Sequence, residues 1–475
     1  MGQEIARTAF SEADHRACAT RLAQETAMLR ALADRGGFTA GSFVAGFELE
    51  AWLLDHAGRP NPVNEAYLRA LDDPLVVPEL SRFNVELNAP PVDMDAGVLA
   101  ALEESLLATW DKCQHVAHGM DTVLAMIGTL PTIRDADLNL ANMSAMKRFD
   151  VLNAQVLQQR GGAPIEIDIA GEDALCLRRD DVMLEAATTS FQVHLQVPFA
   201  LTAPYYNASL ACCAPLLAAA ANSPLLFGHR LWHETRVPLF EQAVELGGHR
   251  GLADPSVRRV TFGRAYVTDS LVEIFEENFE HYPMLLPMPQ MEDAARFPHL
   301  RLHNGAIWRW VRPLVGFDAA GQPHLRLEQR VLPAGPTALD MIANAGLYFG
   351  LVRMLAQRPV AAELPFDAAR ANFYAAARHG LAAELVWFDG RRHRARDLLL
   401  AEGLPLARAG LSEFGLSTAE IEHYLGVVET RVRSGQTGAV WQLRRLERVG
   451  GDLHRMMDDY LENQRAGAPV HEWNP

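Results

Sequence analysis

Lysine is almost absent: of 43 cationic residues only Lys112 and Lys147 are lysines, and neither follows a glycine. A Walker A loop needs a glycine-lysine step to wrap phosphate oxygens, so the chain has none, and any nucleotide would be held without a P-loop. The GxGxxG fingerprint, the HExxH zinc helix and the GxSxG nucleophile elbow are missing too. Cysteine is scarce, with five residues (Cys18, Cys113, Cys176, Cys212 and Cys213) and no CxxC pair. An odd, sparse set reads as reduced thiols in a cytoplasmic protein, and Cys212 and Cys213 fall in an alanine-rich helical run where thiols serve packing. Long apolar runs are lacking as well. The most apolar, around Ala208 to Ala221, contains Pro215 and is shorter than the roughly 20 residues a membrane span needs. The start is charged and lacks the apolar core of a signal peptide, and Gly2 fits only the beginning of a myristoylation pattern. A formal charge of −16 argues against nucleic acid or an anionic membrane as partner.

What remains is 475 residues, 49% hydrophobic and 21% charged, enough for a substantial core. Residues 12–35 have helical periodicity and stop at Gly36-Gly37; Phe43 to Leu54 then alternates like a strand. A turn at Gly58 to Pro62, a strand at Phe83 to Asn88, a helix over 95–120 and a strand over 122–127 follow. Strands over 190–198 and 324–332 bracket helices over 207–222 and 229–246. From Ala338 the pattern is helical, apart from a hairpin around Trp387 to Gly390. With no repeat and no low-complexity linker, this predicts a helical extension over residues 1–40 and one α+β domain over 41–475, helical from about 338.

Successive strand side chains point to opposite faces, so each strand can be sorted. Phe43, Ala45, Phe47, Leu49, Ala51 and Leu53 share one face, and Gly46, Glu48, Glu50 and Trp52 the other. Phe83, Val85 and Leu87 oppose Asn84, Glu86 and Asn88. Phe191, Val193, Leu195 and Val197 oppose Ser190, Gln192, His194 and Gln196; Leu325, Leu327 and Val331 oppose Arg326, Glu328 and Arg330. An antiparallel sheet with one wet face would alternate in the same way. A merely wet face, however, mixes Thr, Ser, Lys and Gln, whereas these fronts concentrate acids, one histidine, amides and arginine. Neighbouring carboxylates repel unless a cation lies between them. Hard oxygen donors with a single imidazole suit Mg²⁺ or Mn²⁺ better than a closed zinc site. Acids for metal, with arginines for phosphate oxygens, are what metal-bridged phosphoryl transfer requires.

Gly46-Phe47-Glu48-Leu49-Glu50 resembles the G-x-E-x-E opening strand of the glutamate–cysteine ligase superfamily, in particular its second bacterial family, which includes related carboxylate–amine ligases. Further matches keep the family's order: Glu79 in Pro78-Glu79-Leu80; Val85-Glu86-Leu87-Asn88-Ala89-Pro90; Gly128-Thr129-Leu130-Pro131; Lys147-Arg148-Phe149; and Val193-His194-Leu195. Ala221-Asn222-Ser223-Pro224, with Gly228 and Arg236 beyond, is similar to the family's A-N-S-P helix end, and Leu327 to Val331 to its E-x-R-x-x-D strand. Arg378 to Leu381 and Gly435 to Gln442 match weaker C-terminal features, so the resemblance runs from about 43 to 445.

The resemblance implies a glutamine-synthetase-like catalytic fold, related to the guanidino kinases: a curved antiparallel sheet with helices on its back and ATP, metal and substrate on its concave face. It implies use of ATP to phosphorylate a carboxylate, typically the γ-carboxylate of glutamate, which an amine then attacks. By position Glu48, Glu50, Glu79, Glu86, His194 and Glu328 would be ligands for Mg²⁺ (or Mn²⁺). Glu328 and Arg330 would be catalytic, Arg330 steadying the transferring phosphoryl group. Arg148 and Arg236 would hold phosphate or the substrate carboxylate. Structural roles stay open: His194 as a satisfied sheet histidine, Arg330 as the partner of Glu328, Arg148 and Arg236 as packing arginines. Arg391 to Arg394 reads as a solvated turn, and His233-Glu234 carries no metal role. Where the family often has aspartate, three residues past the arginine, this chain has Pro333. Three other functions remain: phosphoryl transfer to a guanidino compound, a nucleotide-binding regulator without turnover, and a metal-dependent hydrolase.

Overall fold

The computed structural model describes residue 5 and residues 7–39, 41–246 and 258–475; the opening residues, with Gly2, lie outside it. Its organising element is β1 (Val44–Leu54). Ala45, Phe47, Leu49, Ala51 and Leu53 all enter the larger hydrophobic core behind the sheet, as their alternation predicts. Burying a large apolar side chain contributes about 1.5–3 kcal/mol, so this face alone fixes which way β1 lies.

Seven further strands complete the sheet: β2 (Val76–Pro78), β3 (Asn84–Asn88), β4 (Val92–Asp93), β5 (Val123–Ala125), β6 (Phe191–Gln196), β7 (Val311–Phe317) and β8 (Pro323–Gln329). The order is β7-β8-β6-β1-β3-β2, with β4 and β5 also paired to β1, and every pairing is antiparallel. β1 changes neighbours along its length. Residues 44–49 pair with β6, whereas residues 48–52 pair with β3 and 52–54 with β5. A twisted strand that exchanges partners curls the sheet and gives it a concave front.

Behind the sheet lie α2 (Val98–Gly119), α3 (Thr202–Ala220), α4 (Ala338–Leu355) and α5 (Leu404–Glu413), while α1 (Glu12–Asp34) packs at one end. Among the described residues α4 alone is long and apolar enough to cross a membrane, a run the sequence reading passed over. That stretch is 83% buried, wrapped by α2, α3, α5 and the helix Thr418–Ser434. α4 meets α5 through glycines: a Cβ on Gly350 would come within 2.1 Å of Ala407 O, and one on Gly410 within 2.0 Å of Gly350 O.

Two local expectations change, and two elements come without a sequence signal. The helix expected over 229–246 shrinks to Arg236–Ala243, because Phe227 (φ 51°) and Gly228 (φ 79°) turn the chain into a short hairpin first. Phe83 leaves the face of Val85 and Leu87 and stacks on Trp52, ring centroids 5.7 Å apart. The two rings belong to a second core, on the sheet's front, filled by Trp441, Tyr460 and Trp473 from the C-terminal part of the chain. Hence only part of the front is available for chemistry. A hairpin, Ile165–Ala170 with Ala174–Arg179, went unread, as did β7. α1 makes a buried polar contact with the rest of the chain: Glu25, 1% exposed, bonds His299 Nδ1 at 2.7 Å and accepts the Leu300 amide.

Candidate active site

The alternating front residues of β1, β3, β6 and β8 come together as two groups of acids. In the first, His194 on β6 stands opposite both Gly46 on β1 and Glu328 on β8, and Glu48 sits one step along β1. His194 Nε2 lies 3.4 Å from Glu48 Oε1 and 3.7 Å from Glu328 Oε1. In the second, Glu50 and Glu86 form a directly opposed cross-strand pair, with Glu79 arriving from the β2–β3 turn. Within each trio one ligand atom per residue lies within 4.8 Å of the others.

Burial and charge set the protonation of these groups. Burial raises Glu50, with Arg330 opposing it and Glu86 adding to it, to about 7. Burial also raises Glu79 well above the usual range, helped by Glu86 and Glu50 and opposed by Arg148. Glu86 is raised by burial and by Glu48. His194 is pushed down by burial against the pull of Glu48 and Glu328. Glu328 goes the other way. Burial would raise it, but Arg312 and Arg330 more than reverse that and hold it well below the carboxylate range. Arg312 Nε and Nη2 fork its two oxygens at 2.7 and 3.0 Å, and Arg330 Nη1 adds a bond of 2.9 Å.

The donors fit a hard divalent cation. Glu48 Oε2, Glu79 Oε1 and His194 Nε2 are buried without a hydrogen-bond partner, an arrangement that costs stability unless something else satisfies them. Five carboxylates and one imidazole are an oxygen-rich set suited to Mg²⁺ or Mn²⁺. A cation between Glu50 and Glu86 would also offset the Glu86 charge that adds to burial in raising Glu50.

Arg330 links the two groups. Its Nη1 bonds Glu328 and also Gln192 Oε1, while Gln192 Nε2 donates to Glu50 Oε1 at 2.9 Å. Arg148 Nη2 donates to Pro78 O at 3.3 Å, its guanidinium lies 4.5 Å from the Phe149 ring, and its charge acts on Glu79. Arg236 is 2% exposed and turned to the scaffold: it bonds Glu234 at 3.3 Å and the Val331 and Arg330 carbonyls at 2.6 and 3.3 Å. It therefore supports the end of β8, and its charge also acts on Glu50. Pro333 is bridged to Ser190, whose amide donates to Glu50, and packs where Gly128 and Ser223 meet, so a Cβ on Gly128 would lie 2.9 Å from the proline ring. The G-T-L-P, A-N-S-P and E-x-R segments thus share one structural junction. Asn222 seals it with bonds to Ala334 O, Tyr460 and Gln442.

Sequence reasoning gave no role to Arg312, Arg326 or Glu185. Arg326 shares the front with Glu328 and donates from Nε to His194 Nδ1 at 3.2 Å. Arg312 stands opposite Glu328 on the unread β7. Glu185, on the short 3₁₀ turn Met183–Ala187, is raised by burial and then by Glu50 to about 8.

The sequence profile of glutamate–cysteine ligase family 2 (GCS2) matches residues 44–464. No curated protein sequence matches the chain significantly. Among solved structures, the fold is similar to a glutamate–cysteine ligase from Francisella tularensis in complex with AMP. That pair has a TM-score of 0.53 and 12% identity, over 90% of each chain. It is also similar to a bifunctional glutathione synthetase from Pasteurella multocida, with a TM-score of 0.52 and 11% identity. There the alignment covers 95% of this chain and 55% of the longer one. At such identities the likeness concerns the fold, and it agrees with the curled antiparallel sheet backed by helices described above. The family assignment rests on the profile, which spans nearly the whole sheet and both acid groups: the chain belongs to glutamate–cysteine ligase family 2, as an enzyme that joins a carboxylate to an amine.

Proposed function

We propose that the enzyme uses ATP to activate the γ-carboxylate of glutamate, or of a close analogue, as an acyl phosphate that an amine then attacks. The observation that carries this is Arg330, placed between two acid trios and in contact with one of them. Glu48, His194 and Glu328 would hold one divalent ion, and Glu50, Glu79 and Glu86 another. Bound there, Mg²⁺ would neutralise charge on the phosphate oxygens. The protein's own part is positional. Glu328 and Gln192 hold the Arg330 guanidinium through Nη1 between the two acid trios, where it would meet a transferring phosphoryl group. Arg312 keeps Glu328 ionised. Arg148 balances Glu79 and would meet an anionic substrate group beside the second trio. Arg236 fixes the backbone that carries Arg330.

A substrate carboxylate oxygen bonds to the γ-phosphorus as the bond to ADP breaks. The amine nitrogen then bonds to the carbonyl carbon, the acyl oxygen–carbon bond breaks, phosphate leaves with the former carboxylate oxygen, and nitrogen loses a proton. The five cysteines are unpaired, which suits a reducing cytoplasm.

The test is ATP consumption with Mg²⁺ and ¹⁸O-carboxylate glutamate across an amine panel, with product masses recorded. One ¹⁸O should reach phosphate for each amide formed. Label that stays out of phosphate would rule out the acyl phosphate, and a phosphorylated guanidine with no amide would point to the guanidino-kinase chemistry instead. Glu48→Gln and Glu50→Gln should each abolish ligation with the fold intact, since each removes a charged ligand at constant volume.

A further inference from the structure

Trp310, the residue before β7, meets the end of β8 through its backbone: its carbonyl accepts the Arg330 amide at 2.9 Å. Its side chain is 1% exposed and is gripped at two points by one short helix, Arg236–Ala243. The Arg236 guanidinium lies 5.6 Å from the ring centroid, and the indole Nε1 donates to Glu241 Oε1 at 2.9 Å. Arg236 also holds the carbonyls of Arg330 and Val331. This helix therefore fixes Arg330 on its carbonyl side directly and on its amide side through Trp310. With Phe240 and Phe373 packed on the indole at 6.0 and 5.4 Å, a shift of the ring passes to its backbone instead of being taken up by slack around it.

Glu241 is more than this packing needs. It is 4% exposed, and the oxygen that takes the indole proton also accepts the Tyr374 hydroxyl at 2.8 Å. Its other oxygen has an ion contact of 3.8 Å with Arg258, a side chain 48% exposed. Burial raises Glu241 to about 7, against the bonds from Trp310 and Tyr374 and the charge of Arg258, while Glu245 on the same helix adds to the rise. A neutral amide would satisfy the indole and the hydroxyl at less cost than a buried carboxylate. What the charge adds is a stronger, shorter bond to the indole. We propose that Glu241 is a positioning residue for Arg330: acting through Trp310, its carboxylate fixes the Arg330 backbone so that the guanidinium meets Glu328, Gln192 and the transferring phosphoryl group.

Hydrogen exchange of the full-length protein at pH 8 tests the link apart from the chemistry. Glu241→Gln keeps the shape and both acceptor bonds and loses the charge, so exchange at the Arg330 amide should quicken about tenfold. The Phe191 amide, which bonds Leu332 O just beyond Arg330, should stay within about twofold of its wild-type rate. Trp310→Phe should reproduce the quickening, and adding Glu241→Gln to it should change the rate less than about twofold, because the indole is already gone. With ¹⁵N-labelled tryptophan, the indole signal missing from Trp310→Phe should move with a midpoint at about pH 7 in the wild type and stay fixed in Glu241→Gln. In saturating Mg²⁺, glutamate-dependent ATP cleavage by Glu241→Gln should lose about tenfold in kcat, with ATP affinity within about twofold and a melting temperature no lower than the wild type's. That consequence rests on the ligase reading above; the exchange result does not. Unchanged exchange at Arg330, equal quickening at Phe191, further quickening in the double variant, or an undiminished kcat would each overturn the proposal. If exchange at Arg330 quickens as expected and no form of the protein cleaves ATP with glutamate, the ligase chemistry fails and the link from Glu241 to Arg330 stands.

Discussion

Arg326 donates from Nε to Nδ1 of His194 across the β6–β8 pair, at 3.2 Å. An Nδ1 that accepts leaves the proton of a neutral ring on Nε2, the atom that faces Glu48 and Glu328. The imidazole can ligate a cation through Nε2 only after Arg326 lets go of Nδ1. Its positive charge beside the site opposes a cation as well. Both effects have the same sign, so Arg326→Leu should tighten Mn²⁺ binding at this trio several-fold in the nucleotide-free enzyme. Manganese titration by electron paramagnetic resonance checks it; unchanged or weaker binding would mean that Arg326 does not compete with the ion.

Glu50 and Glu86 face each other directly, and both are raised by burial and by acidic neighbours. Function has placed like charges where stability would not. Glu86→Gln should therefore raise the melting temperature of the metal-free protein at pH 8 by a few degrees. The same change should shrink the stabilisation gained from added Mg²⁺. Scanning calorimetry with EDTA and with Mg²⁺ gives both values, and a lower melting temperature in EDTA would contradict the repulsion.

Arg330→Lys keeps a charge and loses the planar fork shared between Glu328 and Gln192. An interaction realised in phosphoryl transfer should show mainly in kcat, expected to fall by about a hundredfold or more, with ATP affinity moving far less. A variant that changes only its melting temperature would assign Arg330 to structure.

Glu25 satisfies His299 and the Leu300 amide from inside α1, and both its partners are buried. Glu25→Ala leaves those groups unpaired and should cost about 2–4 kcal/mol. Urea unfolding monitored by circular dichroism measures the loss. A change under about 0.5 kcal/mol would identify α1 as a loosely attached extension, since surface substitutions usually stay within that range.

The alternation in β1, β6 and β8 made most of the front legible, because period two is a local property that each strand declares for itself. Glu48, Glu50, His194 and Glu328 were readable on that ground. Glu79 was not, since it lies on a turn and only the family resemblance singled it out. β7 was hidden by Pro313 and Gly316, residues that weaken a strand pattern; an edge position tolerates the proline, so Arg312 went unseen with its strand. Glu185 sits on a 3₁₀ turn with no periodicity to reveal its direction. Trp52 was legible on the front, but Phe83 was not, because the core it joins there is filled by Trp441, Tyr460 and Trp473 from the far end of the chain.

The partner exchange along β1 also bears on how the enzyme assembles. Its front residues can meet His194 and Glu328 only after β6 and β8 have been delivered by distant segments. Such non-local pairings are entropically slow to form. Until they form, Glu48, His194 and Glu328 are scattered along the chain and offer a divalent ion nothing better than isolated side chains. A metal ion at that trio therefore cannot template the early steps of folding. It binds the finished sheet, shifting the equilibrium by mass action after the fact, so added Mg²⁺ should slow unfolding more than it speeds refolding.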